Sequence, residues 1–288
     1  METKVLITGA AGPSGSNATK RLLELNVPVR AMVRKLDDRS AELSNLGAEV
    51  VVGDMTNFNS VSQAMKGISS VLFVYPVAEG LVQATAYLIQ AAVEENVQHI
   101  VNISQRTAVR DAISHSAQDH WLAERLLDHA GIPVTHLQPT LFMEWLIYFA
   151  QEIKENNRFI SPFGEARYGM INSEDIGRSA AAILANPEGH AGKTYNIYGP
   201  SEVTGQEIVE TLSTILKREI SYAPIEPDAF GEILKSFGAP DYQTRHIVAA
   251  AKMFQSGEFR GMTDNVEKLT GTKPLSVADF INKNIALF

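Results

Sequence analysis

Three glycines near the start of the chain have the spacing of a phosphate-binding turn. Gly9, Gly12 and Gly15 follow an apolar run, Lys4–Thr8, just before a helical pattern begins. The first glycine allows a strand to turn sharply, the second leaves no Cβ between backbone and diphosphate, and the third lets the helix pack closely on the strand. The free N–H groups at the start of that helix then point at the phosphates. Because the turn stands at the first strand-to-helix junction, it predicts a dinucleotide site formed by Thr8, Gly9, Gly12, Pro13, Ser14 and Gly15.

Two basic residues, Arg34 and Lys35, directly follow the second strand-like run. In many dinucleotide-binding domains an Asp or Glu at this point accepts hydrogen bonds from the ribose 2′-OH. A carboxylate would repel a 2′-phosphate, whereas a guanidinium can bind it through two parallel hydrogen bonds. We therefore predict NADP(H) as the cofactor; the alternative is that Arg34 is a solvated charge at a strand end. Asp37 and Asp38 are predicted to start the next helix.

The ends of the later strands supply the other predicted cofactor contacts. Asp54 and Met55 follow the third strand, where the carboxylate can meet the adenine amino group and the thioether can pack on its ring. The alternative for Asp54 is a capping turn before Asn57. Residues after the fourth, fifth and sixth strands are expected near the ribose and nicotinamide, although each is also compatible with a plain loop position. They are Tyr75, Pro76, Ser104 and Pro139.

The first half of the chain alternates strand-like and helix-like runs with short connections. Near-continuous Val, Ile and Leu strands between amphipathic helices indicate a parallel sheet covered on both faces. Right-handed crossovers make this an α/β, doubly wound Rossmann fold. The predicted strands are Lys4–Thr8, Val29–Val33, Glu49–Val52, Ser70–Val74, His99–Ile103 and Val134–Gln138. The predicted helices are Ser14–Leu25, Asp37–Leu46, Asn57–Met65, Leu81–Asn96 and Ala117–Ala130.

After Pro139 the pattern changes to that of a smaller cap over the carboxyl edge of the sheet. The predicted elements are a long helix Leu141–Asn156, a helix Ser173–Leu184, a short strand Thr194–Ile197, and the helices Thr204–Leu216 and Ala239–Ser256. The predicted domains are therefore an NAD(P)-binding Rossmann domain, 1–140, and a smaller substrate-binding C-terminal cap, 141–288, that partly returns to the main sheet.

Composition narrows the class of protein. The 288 residues are 45% hydrophobic and 20% charged, as in ordinary soluble globular proteins. The absence of cysteine excludes disulfides, thiolate metal sites and cysteine nucleophiles. The formal charge of −8 and a pI near 5.4 argue against a general nucleic-acid surface. No apolar run approaches the roughly 20 residues that span a bilayer, and the first strand comes too early for a signal peptide. We expect a cytoplasmic monomer or homodimer with no membrane or nucleic-acid partner.

Five segments together carry a family resemblance: Thr8–Gly15, Val33–Lys35, Gly53–Met55, Pro139–Glu144 and, in the cap, Ile171–Ile176. With them the chain resembles the NmrA-like group of atypical short-chain dehydrogenases/reductases, and it is similar to triphenylmethane reductase and NAD(P)H:quinone reductases. The resemblance covers nearly the whole chain and implies a Rossmann fold, an NADP(H) cofactor and reductase activity. Pro13 departs from the pattern, because relatives often have a polar residue there that approaches the phosphates. Ser14 is the predicted substitute.

The Tyr-x-x-x-Lys motif of ordinary short-chain dehydrogenases is absent, because no tyrosine here has a lysine four residues later. The corresponding helix carries His120 and Glu124, which are i,i+4 neighbours on one face. Glu124 could orient His120, which could donate a proton near neutral pH; the alternative is a helix-surface pair without a catalytic role. These two are the only catalytic candidates. His115 and His120 lie on different faces and have no evident third partner, so no metal site is predicted.

Without a strong acid, hydride transfer is easier to an acceptor that spreads or neutralises the incoming charge. Quinones, azo dyes and cationic triphenylmethane dyes are such acceptors, so we expect a small aromatic substrate. Glu144 either attracts a cationic substrate or faces solvent. The helical spacing after residue 141 predicts that at least half of the apolar wall residues there belong to the core. The predicted substrate wall comprises Tyr75, Phe142, Met143 and Trp145, with Tyr148 nearby.

Three functions remain open. The leading hypothesis is an NADPH-dependent reductase of a quinone-, azo- or triphenylmethane-dye-like acceptor. The alternative is a non-catalytic NADP(H)-binding redox sensor or regulator of the NmrA type, which requires unequal affinity for the two cofactor forms. An enoyl- or isoflavone-type ether reductase ranks last. That group usually has a lysine on the helix of His120, and no lysine occurs between Lys66 and Lys154.

Overall fold

The computed structural model describes residues 4–288 and contains a seven-stranded parallel sheet. Its order is β3-β2-β1-β4-β5-β6-β8, and the separate pair β7 and β9 is also parallel. The strand order reverses between β1 and β4, which is where ligands bind in such sheets. The predicted α/β, doubly wound fold is confirmed. The strands are β1 (Val5–Ile7), β2 (Val29–Val33), β3 (Glu49–Val52), β4 (Ser70–Phe73), β5 (His99–Ile103), β6 (Val134–Pro139), β7 (Arg158–Ser161), β8 (Lys193–Ile197) and β9 (Ser221–Pro224).

Thirteen α-helices lie within the described residues, and none is long and apolar enough to cross a bilayer. The predicted helices of the first half match α1–α5 to within two residues at each end. The helices are α1 (Pro13–Glu24), α2 (Asp38–Asn45), α3 (Phe58–Met65), α4 (Leu81–Glu94), α5 (His115–Asp128), α6 (Trp145–Tyr148), α7 (Ala150–Asn156), α8 (Ser173–Ala185), α9 (Gly205–Leu216), α10 (Pro227–Ser236), α11 (Asp241–Gln255), α12 (Asn265–Thr270) and α13 (Val277–Lys283), followed by a 3₁₀ turn, Ile285–Leu287.

Alternate residues of the strands pack on opposite faces of the sheet. Val5 and Ile7 of β1 are buried with residues of α1, α2 and α8. Leu6, between them, is buried on the other face with residues of α3, α4 and α5. Burial of a large aliphatic side chain stabilises the fold by about 1.5–3 kcal/mol. The two layers therefore hold the strand ends, and the loops that follow them, in fixed positions.

One helix and one strand from beyond residue 140 lie within these layers. β8 pairs with β6 in parallel, with Tyr195 opposite Leu137. α8 crosses α1 so closely that a Cβ on Gly177 would lie 2.7 Å from the backbone nitrogen of Ala18. The division of the chain near residue 140 remains a prediction, with α8 and β8 as the returning elements.

The predicted long helix Leu141–Asn156 is wrong. The N–H of Met143 donates to the carbonyl oxygen of Ile171 at 2.8 Å, and the N–H of Ile171 donates to that of Leu141 at 2.9 Å. These bonds hold the start of the segment extended, so helix begins only at Trp145 and is interrupted again at Phe149. The apolar spacing is helical in appearance, but pairing with a distant segment satisfies the backbone groups instead.

The rest of the cap has its own apolar core, built around α6, α7, α9, α11 and α13. Phe159 of β7 stands opposite Tyr222 of β9, and their rings stack with centroids 6.2 Å apart. The sequence patterns correctly predict α8, β8, α9 and α11 to within two residues. They miss α10, which packs on the next helix, α11, and the short elements β7, β9, α12 and α13, which contact distant parts of the chain.

Candidate functional site

The glycine turn after β1 is closely packed at each of its three glycines. Gly9 has a φ of +59°, in the left-handed region that favours glycine. A Cβ on Gly12 would lie 3.2 Å from the carbonyl oxygen of Gly9, and a Cβ on Gly15 only 2.6 Å from the same atom. The turn therefore brings the start of α1 against the end of β1, which a side chain at residue 15 would prevent.

The start of α1 fits an anionic group. Its N-cap is Gly12, no side chain caps its first turn, and Pro13 contributes no N–H. The N–H groups of Ser14 and Gly15 consequently have no acceptor within the helix. Uncapped N–H groups at a helix start, beside glycines that carry no Cβ, suit a diphosphate.

The hydroxyl of Thr8 has a structural role, and its predicted cofactor contact stays a prediction. Its hydroxyl donates to the carbonyl oxygen of Val74 at 2.9 Å and accepts from the N–H of Val74 at 2.8 Å. The residue is fully buried. Both bonds lie inside the sheet, so Thr8 fixes the ends of β1 and β4 on either side of the turn, and its hydroxyl proton is not free for a ligand.

Arg34 and Lys35 extend from the end of β2 and are exposed. Among residues 4–288, no salt bridge or side-chain hydrogen bond involves Arg34, whereas the nearby Arg39 pairs with Asp37 at 2.6 Å. Asp37 also caps α2 by accepting from the N–H of Ser40, as expected of a helix-start residue. Arg34 is therefore a free cation at the edge of the sheet that carries the glycine turn.

Asp54 forms the capping turn that was one of its two interpretations. One of its oxygens, Oδ1, accepts from the N–H and the hydroxyl of Thr56 at 2.8 and 2.7 Å. These bonds, with a smaller contribution from Arg34, lower the pKa of Asp54. The ends of β2 and β3 are neighbours, with Val33 opposite Val52, and Asp54 Oδ2 stays free for a ligand. Met55 is half-buried against the core.

At the end of β4, Tyr75 is buried and Pro76 is exposed. The Tyr75 hydroxyl donates to the carbonyl oxygen of Glu79 at 2.8 Å, and its ring packs 6.5 Å from that of Phe73. Burial raises the pKa of Tyr75, and the positive charge of Arg34 opposes that rise. Tyr75 therefore belongs mainly to the core under α3 and α4.

The ends of β5 and β6 are joined by backbone contacts. The N–H of Ser104 donates to the carbonyl oxygen of Leu137, and that of Arg106 to Pro139, both at 2.8 Å. Pro139 is buried, and the buried hydroxyl of Ser104 has no hydrogen-bond partner. An unpartnered buried hydroxyl at this edge is the kind of group that a bound ligand satisfies.

The geometry above suits a dinucleotide, and a comparison of the chain with protein families agrees. The family model described as the NmrA-like family matches residues 1–281. The chain belongs to the NmrA-like family.

Similar proteins cover nearly the same length as this NmrA-like chain. The NAD(P)H azoreductase of Xenophilus azovorans is 28% identical over 286 residues, 99% of each chain. The NADPH-dependent quinone oxidoreductase of Escherichia coli, solved with NADPH, has a TM-score of 0.87 at 23% identity and covers 98% of this chain and 99% of that one. The triphenylmethane reductase of Citrobacter sp., solved with NADP(H), has a TM-score of 0.85 at 23% identity, covering 97% and 99%. At such identities the two solved structures show the fold.

The predicted pair of His120 and Glu124 does not form in this NmrA-like protein. Glu124 accepts instead from Gln138 Nε2 at 2.8 Å and from Arg125 at 3.3 Å. Burial lowers the pKa of His120 to about 3, with a smaller contribution from His246. The imidazole is therefore neutral at neutral pH and carries no ready proton. Within residues 4–288 no group of three or more His, Cys, Asp or Glu side chains could hold a metal ion.

A second histidine comes from a helix far along the chain. His246 of α11 is close enough to contribute to the lowered pKa of His120, and Nδ1 of His246 is 2.8 Å from the hydroxyl of Ser114, the N-cap of α5. A cavity of about 140 Å³ opens between these helices. Nothing in the sequence pattern singles out His246, because α5 and α11 meet only in the folded chain. The cavity is lined by Ile113, Ser114, His115, Ser116, Tyr242, Arg245 and His246.

The predicted substrate wall is divided among three packing layers. Tyr75 lies in the core under α3 and α4, and Phe142 packs partly against the core beside α1 and α8. Met143 is fully buried in the cap core, so it supports the wall from behind and offers no surface to a substrate. Trp145 is half-buried and stacks on Phe149 with ring centroids 6.4 Å apart. Phe142 and Trp145, with the exposed Tyr148, are thus the wall residues after β6 that keep accessible apolar surface.

Proposed function

We propose that this protein is an NADPH-dependent reductase that transfers hydride to a quinone-, azo- or triphenylmethane-dye-like aromatic acceptor. The coarser prediction, an oxidoreductase that uses NAD(P)H, is confirmed by the family match and by the named activities of its relatives. The preference for the phosphorylated cofactor and the choice of acceptor are the proposed parts.

The unpaired guanidinium of Arg34 carries the proposal for the cofactor. It stands at the end of β2, next to the strand that carries the glycine turn. A hydrogen bond to a charged group is worth about 1.5–3 kcal/mol. Contact between Arg34 and a 2′-phosphate would therefore favour NADPH over NADH by about ten- to a hundredfold in affinity.

The groups near the end of the sheet support an acceptor that needs no strong acid. Bound NADPH supplies a hydride, and the protein must hold the nicotinamide ring beside the acceptor. The Tyr75 hydroxyl donates to a backbone carbonyl, and burial raises its pKa. His120 is neutral and buried. Because neither group is an effective acid near pH 7, acceptors that delocalise the added charge are favoured over simple ketones. Phe142 and Trp145 offer apolar surface for an aromatic ring.

The redox-sensor hypothesis rests on the same lack of an acid. It requires that NADPH and NADP⁺ bind with different affinity, because a ligand shifts a conformational equilibrium only by differential binding. Turnover separates the two hypotheses, since a sensor binds both cofactor forms and reduces no acceptor. The reductase hypothesis is the better supported, because similar proteins with named activities are reductases.

The test is a screen of purified protein with NADPH and three acceptor classes: a quinone, an azo dye and a cationic triphenylmethane dye. Loss of NADPH absorbance should occur with at least one class and be faster than in a reaction without protein. A matched reaction with NADH should be slower at equal concentration. If none of the three classes oxidises NADPH while both cofactor forms bind, the reductase assignment is wrong and the sensor remains.

A further inference from the structure

Three buried oxygen atoms without hydrogen-bond partners belong to the segments that directly follow β5 and β6. They are the hydroxyls of Ser104 and Thr140 and the Oε2 atom of Glu144. Ser104 directly follows β5, and Thr140 directly follows β6, its neighbour in the sheet. Buried polar groups in folded proteins almost always have a partner. Three unsatisfied oxygens at one edge therefore indicate a place where a polar ligand binds.

Glu144 is held in position through its other oxygen. Oε1 accepts from the backbone N–H of Ser173 at 2.9 Å and from the Ser173 hydroxyl, at the first residue of α8. The Ser173 hydroxyl also accepts from Asn17 Nδ2 at 3.3 Å, and Asn17 donates to the carbonyl oxygen of Pro13 in the glycine turn at 3.0 Å. This chain of contacts connects Glu144, in the segment after β6, with the diphosphate-binding turn. The other carboxylate oxygen, Oε2, has no hydrogen-bond partner.

Glu144 lies on the side of the sheet where the nicotinamide half of the dinucleotide is expected. In a doubly wound sheet the two halves of the dinucleotide lie on opposite sides of the switch point. Arg34 marks the adenosine side at β2, so the nicotinamide side belongs to β4, β5 and β6. A nicotinamide nucleoside presents amide N–H and ribose O–H donors. A carboxylate oxygen only accepts hydrogen bonds, whereas the hydroxyls of Ser104 and Thr140 can also donate.

The negative charge of Glu144 would favour one redox form of the cofactor over the other. Among residues 4–288 no salt bridge neutralises it, because its identified partners are both groups of Ser173. The nicotinamide ring is cationic in NADP⁺ and neutral in NADPH. A nearby negative charge in a partly desolvated site stabilises the cationic form more than the neutral one.

We propose that Glu144 binds the nicotinamide half of NADP(H) through Oε2, with Ser104 and Thr140 beside it, and favours the oxidised form by its charge. The proposal rests on the cofactor assignment above but not on the acceptor. Its consequence is that bound NADPH is a stronger hydride donor than free NADPH, which suits a site without a strong acid.

The test compares three ligands by titration calorimetry: NADP⁺, NADPH and adenosine 2′,5′-bisphosphate, which lacks the nicotinamide and its ribose. In Glu144→Gln, one amide oxygen still accepts from Ser173, while an amide N–H₂ replaces Oε2. We expect affinity for NADP⁺ to fall about tenfold, that for NADPH to fall less, and that for the nicotinamide-free ligand to stay unchanged. Glu174→Gln is the matched control. Glu174 follows Ser173 in the first turn of α8, but its carboxylate pairs with Lys283 at the surface.

The outcomes separate this proposal from the proposed function. Equal losses for all three ligands, or no loss for any, would show that Glu144 only caps α8. Failure of the wild-type protein to bind any NADP(H) form would overturn both assignments. Normal binding without turnover of any acceptor would remove the reductase alone. If Glu144→Gln does not fold, Thr140→Val tests the same site: a loss for both dinucleotides but not for the nicotinamide-free ligand supports it, and no loss overturns it.

Discussion

The hydroxyl of Thr8 bridges both backbone groups of Val74, accepting from its N–H at 2.8 Å and donating to its carbonyl oxygen at 2.9 Å. Val74 directly follows β4, so this contact connects β1 and β4, the two parallel strands between which the strand order reverses. A Cβ on Gly9 would lie 3.0 Å from the same carbonyl oxygen. The glycine turn is therefore supported from beneath by one threonine.

Thr8→Val should destabilise the protein while keeping the shape of the side chain. The N–H of Val74 would lose its acceptor in a partly buried setting, which costs up to about 1–3 kcal/mol. Urea unfolding followed by circular dichroism measures the change. Thr8→Ser, which keeps the hydroxyl, should lose distinctly less free energy of unfolding than Thr8→Val. Equal losses in the two variants would mean that the methyl group, and not the hydroxyl, stabilises the turn.

Arg34→Ala should weaken NADPH binding far more than NADH binding. The expected loss for NADPH is about 1.5–3 kcal/mol, from removal of a charged contact to the 2′-phosphate. Titration of both cofactors with the wild type and the variant measures it. Arg39→Ala is the control, because Arg39 lies nearby on α2 but is paired with Asp37. Similar losses for NADPH and NADH would refute the role of Arg34 in cofactor choice.

Stability should decrease as the pH falls from about 6.5 toward 4, because the buried His120 and the half-buried His246 stay neutral in the folded protein. Burial lowers the pKa of His120 to about 3 and that of His246 to about 4. An unfolded histidine titrates near pH ~6.5. Below that pH the unfolded chain therefore binds protons that the folded chain does not. Their contribution to stability is complete above pH ~6.5 and is lost at up to about 1.4 kcal/mol per pH unit for each histidine.

Urea unfolding of His120→Gln across this pH range checks the sign and the size of the predicted pH dependence. The variant should show a shallower decrease of the unfolding free energy than the wild type, by up to one histidine's contribution. His129→Gln changes an exposed histidine at the end of the same helix and should keep the wild-type slope. A wild-type slope in His120→Gln would mean that His120 is protonated in the folded protein as easily as in the unfolded one.

Much of the Rossmann half could be predicted from the sequence because its signals are local. Apolar strands, helix starts such as Asp37 and the glycine spacing each act over a few residues. The free cation at Arg34 also follows from its position directly after β2. The helix predicted over residues 141–156 failed because backbone pairing between Met143 and Ile171 opposes it. That pairing depends on a segment far along the chain.

The sequence by itself determined the turn for a diphosphate, the basic residue after β2 and the absence of a Tyr-x-x-x-Lys acid. Each depends on residue types at short spacing. Only the tertiary structure decided how side chains are shared between ligand and core: Thr8 is used inside the sheet, Met143 in the cap, and His120 beside His246. It also brought Glu144 to Ser173 and left one of its oxygens unpartnered. Burial and hydrogen-bond partners arise from contacts between distant segments, which local spacing does not encode.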